Sequence, residues 1–99
     1  MKRLLLATLA ATPEHVEAFK ALAHPGRLDV FLALVKARRA VTVGEIQETL
    51  GIPAPTLSHH LDQLRRAGLI ETRRQERFIH CSVGTNMVND LVRLLTACC

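Results

Sequence analysis

Five residues, Gly51-Ile52-Pro53-Ala54-Pro55, constrain this chain more than any other stretch. Just before them, Thr42-Val43-Gly44-Glu45 has the form of a capping box, in which the threonine oxygen accepts from the glutamate amide and the carboxylate accepts from the threonine amide. A helix therefore starts at Val43, and Gly51, free to take the left-handed conformation, stops it after Leu50. Pro53 and Pro55 then pre-set the backbone for a new helix entry. Leu57, Leu61 and Leu64 follow at helical spacing as far as Ala67-Gly68. Two helices joined by so short a turn are a helix-turn-helix, here over residues 43–67.

The flanking segments complete the pattern. Thr12-Pro13-Glu14 offers an N-cap hydroxyl, a proline at the first helical position and an acid in the first turn, and Val16, Phe19 and Ala23 predict a helix over 13–23. His24-Pro25-Gly26 interrupts it, because the residue before proline avoids the α region. Leu28, Phe31, Leu32 and Val35 restart the period over 25–37, and Lys36, Arg38 and Arg39 close the end where the helix dipole favours cations. Residues 69–74 and 77–83 are strand-compatible runs split by Gln75-Glu76, a β-hairpin. The segment 85–99 spreads Met87, Val88, Leu91, Val92, Leu94 and Leu95 over nearly half a helix circumference, wider than one small core needs, which predicts a partner helix. The expected class is mainly α with a small β-hairpin. It is a single winged helix-turn-helix domain over 1–99 that dimerises through its terminal helices, with an N-terminal extension at 1–12, the helix-turn-helix at 43–67, a wing at 69–83 and a dimerisation helix at 85–99.

Composition narrows the function classes. Ninety-nine residues suffice for one compact domain and not for two. No apolar run approaches the 18 or so residues that cross a bilayer, so no membrane partner is expected. Lys2-Arg3 before a short apolar run has the outline of a signal peptide, but the run is near the minimum length for one, and 1–12 is taken as an extension. Three aromatic residues, all Phe, argue against reading single strands by base stacking. Three cysteines, two of them adjacent, make a poor disulfide framework and point to reduced thiols in the cytoplasm. No nucleophile–base pairing, carboxylate pair or phosphate-cradling glycine loop stands out, so no enzyme is expected.

What remains is duplex DNA. In a winged helix-turn-helix the second helix of the pair enters the major groove. Thr56, Ser58 and His59 sit near its N-terminus, where side chains meet base edges and amides meet phosphate. His60, flanking the apolar stripe, is assigned to structure. A shared metal site of His59 and His60 is not expected, because adjacent helical positions diverge by about 100°. Residues 65–77 hold Arg65, Arg66, Arg73, Arg74 and Arg77 against Glu71 and Glu76, so part of the +4 net charge falls where a wing touches phosphate. The competing readings are a solvated His59, a merely charged hairpin, and a winged-helix protein-interaction module with negligible affinity for duplex even at low salt.

The stretches Ala21-Leu22-Ala23-His24-Pro25-Gly26-Arg27-Leu28, Gly51-Ile52-Pro53-Ala54-Pro55-Thr56-Leu57-Ser58-His59-His60-Leu61 and Leu64-Arg65-Arg66-Ala67-Gly68-Leu69-Ile70 together resemble the ArsR/SmtB family of winged-helix repressors, over about residues 13–99. The resemblance implies a cytoplasmic homodimer that binds operator DNA and lets go when an inducer binds. Ser58 and His59 match the family's base-reading positions, while Ala54 and Pro55 stand where many members have polar readers. The Cys-x-Cys of many metal-sensing members is replaced by Thr42 and Gly44. The histidine and carboxylate set of zinc-sensing members is missing, since 85–99 holds no His and only Asp90.

In ending with paired cysteines, the chain is similar to some arsenic-responsive members. Cys81, Cys98 and Cys99 are thus the candidate inducer site, with no permanent cofactor. Trivalent arsenic and antimony are soft centres suited to thiolates. Three sulfurs suit arsenite or antimonite, and two suit a monomethylated arsenical. If 85–99 is one straight helix, Cys81 and Cys98 of one chain lie about 20 Å apart at 1.5 Å per residue. A site using Cys81 of one subunit and Cys98 or Cys99 of the other is therefore expected in an antiparallel dimer. Against it, strand alternation puts Cys81 with Ile79 and Val83 as a small core residue, and Cys98 and Cys99 can be incidental. A thiol-based redox or persulfide sensor of the same fold, or zinc held by the thiolates, are the alternatives.

Overall fold

The computed structural model describes residues 11–97. In chain order its elements are α1 (Pro13–Leu22), α2 (Pro25–Ala37), β1 (Val41–Thr42), α3 (Val43–Leu50), α4 (Ala54–Arg66), β2 (Ile70–Gln75), β3 (Phe78–Val83) and α5 (Thr85–Thr96). The mainly helical winged arrangement expected from the sequence is the one found. Residues 1–10 of the extension, and Cys98 and Cys99, lie outside the described residues.

α1 to α4 start where a side chain or proline makes them start. Thr12 Oγ1 accepts from the His15 amide at 3.2 Å and His15 Nδ1 accepts from the Thr12 amide at 3.1 Å, a reciprocal cap in which histidine replaces the usual glutamate. His24 caps α2 in the same sense, its Nδ1 accepting from the Arg27 amide at 3.4 Å. At the far end Arg38 takes a left-handed φ of 55° and Gly51 ends α3 at φ 65°.

The core is shared by every element, β1 contributing Val41, and leaves out only the wing tip. Leu34 of α2, Leu57 and Leu64 of α4, Leu69, Ile70 and Cys81 are all essentially inaccessible. Each such aliphatic side chain contributes about 1.5–3 kcal/mol on leaving water. α2 packs against both α3 and α4, and the strands of the sheet meet all three helices.

The sheet is antiparallel with the order β1-β3-β2, so β3 is central. Val41 faces Cys81 on one side of it and Thr72 faces Cys81 on the other. The sequence did not announce β1, because two residues carry no alternation. The hairpin turn falls on Glu76-Arg77, one residue later than the Gln75-Glu76 split, with Gln75 paired to Phe78 and Glu76 at φ 56°. At the base of the hairpin the Gly84 amide donates to the Leu69 carbonyl at 2.8 Å. A Cβ at Gly84 would fall onto the Gly68 carbonyl, so only glycine lets the chain pass there.

α5 begins directly after Gly84 and buries Leu91 against the body, while His15 of α1 reaches Asp90 of α5 at 3.6 Å. Val92 and Leu95 on α5, and Val16 and Phe19 on α1, stay exposed. No helix among the described residues is long and apolar enough to cross a membrane.

Candidate nucleic-acid interface

α4 is held from one side. Leu57, His60, Leu61 and Leu64 are its buried residues, and the alternate side of the helix presents Thr56, Ser58 and His59 to solvent. Three of the sequence-predicted readers therefore share the exposed side of one helix end. That end is also open: Pro53 precedes the helix, Pro55 lies in its first turn, and no side chain caps it. Its first amide groups are left for an external acceptor, and a phosphate is the natural one.

α3 sets the angle of α4 across the turn. Thr42 Oγ1 accepts from the Glu45 amide at 3.1 Å and Glu45 Oε1 accepts from the Thr42 amide at 3.1 Å, the capping box expected from the sequence. Arg39 adds a 2.8 Å ion pair to the other carboxylate oxygen. The Arg39 hydrogen bond first, and then the Thr42 amide, pull the Glu45 carboxyl down to about 2.

Under α4, His60 is structural, as its place beside the apolar stripe implied. Its ring lies 4.9 Å from that of His24, and its Nε2 would be 3.1 Å from a Cβ at Gly26, so the start of α2 is packed directly against the middle of α4. Burial chiefly, with His24, Arg27 and His59 adding positive charge, holds His60 below the ordinary histidine value. Its Nδ1 is buried without a hydrogen-bond partner among the described residues.

The predicted phosphate contacts divide into two places. Arg73, Arg74 and Arg77 are exposed on the wing. Pairing puts Arg73 beside His80 and Arg74 beside Ile79, so the two point to opposite faces of the hairpin. Arg77 lies over the Phe78 ring, 5.4 Å from its centre. Arg66, by contrast, sits at the far end of α4, about 15 Å along the axis from Thr56. It forms an ion pair with Asp62 at 3.0 Å while Arg65 donates a hydrogen bond to the same carboxylate at 2.9 Å. The Arg65 hydrogen bond, with Arg66 beside it, holds Asp62 below its usual range, so this end of α4 is less basic than its sequence suggests.

Cys81 lies on the central strand with no exposed surface, and burial pushes its thiol up. Among the described residues no three His, Cys, Asp or Glu side chains are placed to hold one metal ion. The other two candidate ligands, Cys98 and Cys99, are outside the described residues, and with them the predicted shared site. Sequence reasoning missed Arg27 and His24, whose signal was the His-Pro-Gly-Arg run at the start of α2.

Comparison with known proteins agrees with this geometry. Residues 22–73 match the sequence family described as a helix-turn-helix domain. A biofilm growth-associated repressor of Xylella fastidiosa is 43% identical over 82 residues, which cover 83% of this chain and 70% of that protein. The protein of the same name in Agrobacterium fabrum is 40% identical over 78 residues, 79% of this chain and 65% of its own length. The chain thus spans just under two thirds of the Agrobacterium protein. A crystallised ArsR family transcriptional regulator superposes with a TM-score of 0.74 at 28% identity, covering 89% of this chain and 90% of its own. The chain belongs to the ArsR family of winged helix-turn-helix regulators. All three ArsR-type relatives carry regulator names and not enzyme names. The hydroxyl and amide of Thr42 are both taken up by the α3 cap.

Proposed function

We propose that this chain acts as a homodimeric repressor that binds double-stranded operator DNA and is released when a trivalent arsenical or antimonite is held by cysteine thiolates. The observation that carries the DNA-binding reading is the two-sidedness of α4. One side is locked by Leu57, His60, Leu61 and Leu64, and the other offers Thr56, Ser58 and His59 beside an uncapped helix start. The arginines of the wing supply phosphate contacts, and the names of the two repressor relatives agree with this use.

Dimerisation is supported by the exposed Val16, Phe19, Val92 and Leu95 on α1 and α5, two helices linked by the His15–Asp90 pair. A twofold mate would cover these side chains and set two copies of α4 about 34 Å apart, one turn of a palindromic duplex. For the inducer, the burial of Cys81 favours a two-sulfur site over a three-sulfur one. A thiol deep in the sheet ionises reluctantly and is reached only if β3 shifts. The adjacent Cys98 and Cys99 then suit a monomethylated trivalent arsenical, whose carbon occupies the third position.

The test is a gel-shift titration on a duplex selected from a random library. Methylarsenite releases the duplex, and Cys98→Ser with Cys99→Ser abolishes that release while Cys81→Ala retains it. No duplex retained at low salt would remove the DNA reading. Release that survives loss of Cys98 and Cys99 removes the inducer reading alone. A crosslinked dimer on non-reducing electrophoresis after mild peroxide, with no response to arsenicals, replaces it by thiol redox sensing.

A further inference from the structure

We propose that the cleft between α1, the start of α2 and the end of α4 binds a small oxyanion, a carboxylate or phosphate group, on Arg27 and its neighbours. The cleft holds about 320 Å³ and its walls include Lys20, Arg27, Gln63 and Arg66, with Glu17 as its only carboxylate. That size accommodates a phosphate or a small dicarboxylate.

Arg27 is the residue that asks for a ligand. Among the described residues its Nε is buried with no hydrogen-bond partner, and its Nη1 reaches only the Ala21 carbonyl at 3.5 Å. Among the described residues no carboxylate comes within ion-pair distance of it. A guanidinium presents five donors in a planar fork, and among the described residues this one has a single acceptor, the Ala21 carbonyl. The neighbouring cations behave differently. Lys20 pairs with Glu17 at 3.6 Å, and Arg66 pairs with Asp62. Gln63 adds an amide donor on the same wall. The lining charge is thus three cations against one anion, and the central cation has no partner.

The occupant is a small ion that enters the cleft, not a duplex laid across it. Glu17 lines the cleft, and the adjoining groove carries Glu14 and Glu17 against the one cation Arg66, which disfavours a passing phosphate backbone. An anion inside the cleft would be held by the Arg27 guanidinium, with Lys20 and Gln63 on the same walls. The site does not depend on the DNA-binding reading, and its titration contains no DNA.

The experiment titrates the full chain with sodium phosphate and, separately, sodium malonate at constant ionic strength, following melting temperature and amide NMR shifts. Either probe is expected to raise the melting temperature saturably, with shifts concentrated at residues 17–27 and 63–67. Saturation by phosphate alone identifies a phosphate-bearing ligand, and by malonate alone a carboxylate. Arg27→Lys, which loses the fork, weakens binding about tenfold. Should that variant fold poorly, Lys20→Gln at an exposed position weakens binding several-fold in its place, while Lys36→Gln at the other end of α2 leaves it unchanged. Scattered shifts without saturation, or equal weakening by Lys36→Gln, would show ionic-strength effects only and overturn the site. Displacement of phosphate by a random-sequence duplex in a separate competition would also overturn it, assigning Arg27 to the DNA backbone.

Discussion

α3 and α4 are joined by a three-residue turn, yet their N-termini are built in opposite ways. The start of α3 is closed locally: Thr42 and Glu45 satisfy each other, and Arg39 clamps the same carboxylate from before the strand. The start of α4 is open, with proline on both sides of its first residue and no cap. What α3 gains from its ends, α4 gains from its buried side, where Leu57 and Leu64 have no exposed surface. The comparison teaches where a reading helix keeps its freedom. A helix whose first turn must meet a ligand cannot use those amides for itself, so its stability is moved to the opposite face.

The comparison breaks if the two helices respond alike to core truncation and to cap removal. Leu57→Ala or Leu64→Ala is expected to cost about 2–5 kcal/mol in urea or thermal unfolding, the largest effect of any change considered, because each leaves a cavity in a closed core. Next come Ser58→Ala and His59→Ala. Each is expected to cost about 1–3 kcal/mol of affinity for the selected duplex and to leave the unfolding midpoint nearly unchanged, since neither side chain packs in the core. Arg74→Gln on the wing weakens binding across all sequences and reduces the slope of log affinity against log salt by about 0.9. Thr42→Ala removes only the α3 cap and is expected to cost about 1 kcal/mol, a fall of roughly 4–8 °C in melting temperature for a chain of this size.

The smallest effects separate the helices by pH. His60 beneath α4 has a value below its unfolded one, so the unfolded chain takes up the proton first. Stability present above about pH 6.5 is therefore lost as the pH falls, and His60→Gln flattens that region. Glu45 of α3 has its carboxyl lowered to about 2 from 4.5, so its contribution is intact above 4.5 and is lost between there and about 2. Glu45→Gln flattens the lower window and leaves the upper one. Unfolding midpoints measured from pH 7 to 2 check both, and a single shared window would show that the two helix starts are not independent.

Much of this was legible in the chain, for a physical reason. Thr42, Glu45, Gly51 and Pro53 act on the backbone within four residues of themselves, so the ends of α3 and the start of α4 follow from local chemistry. The period of Leu57, Leu61 and Leu64 likewise named the buried side of α4 and left Ser58 and His59 outside it. Arg66 shows the limit: its charge was read correctly, but its pairing with Asp62 four residues back was not, although helical spacing offered it.

The amino-acid sequence alone thus determined the helices, the tight turn and the pairing of two wing strands, all of them governed by neighbours along the chain. Only the tertiary structure decided that Val41 and Thr42 add a third strand to β3, that Cys81 is walled in at the centre of that sheet, and that Arg27 lines a cleft with no ion-pair partner among the described residues. These depend on groups brought together from distant parts of the chain, whose burial and pairing have no periodicity to betray them.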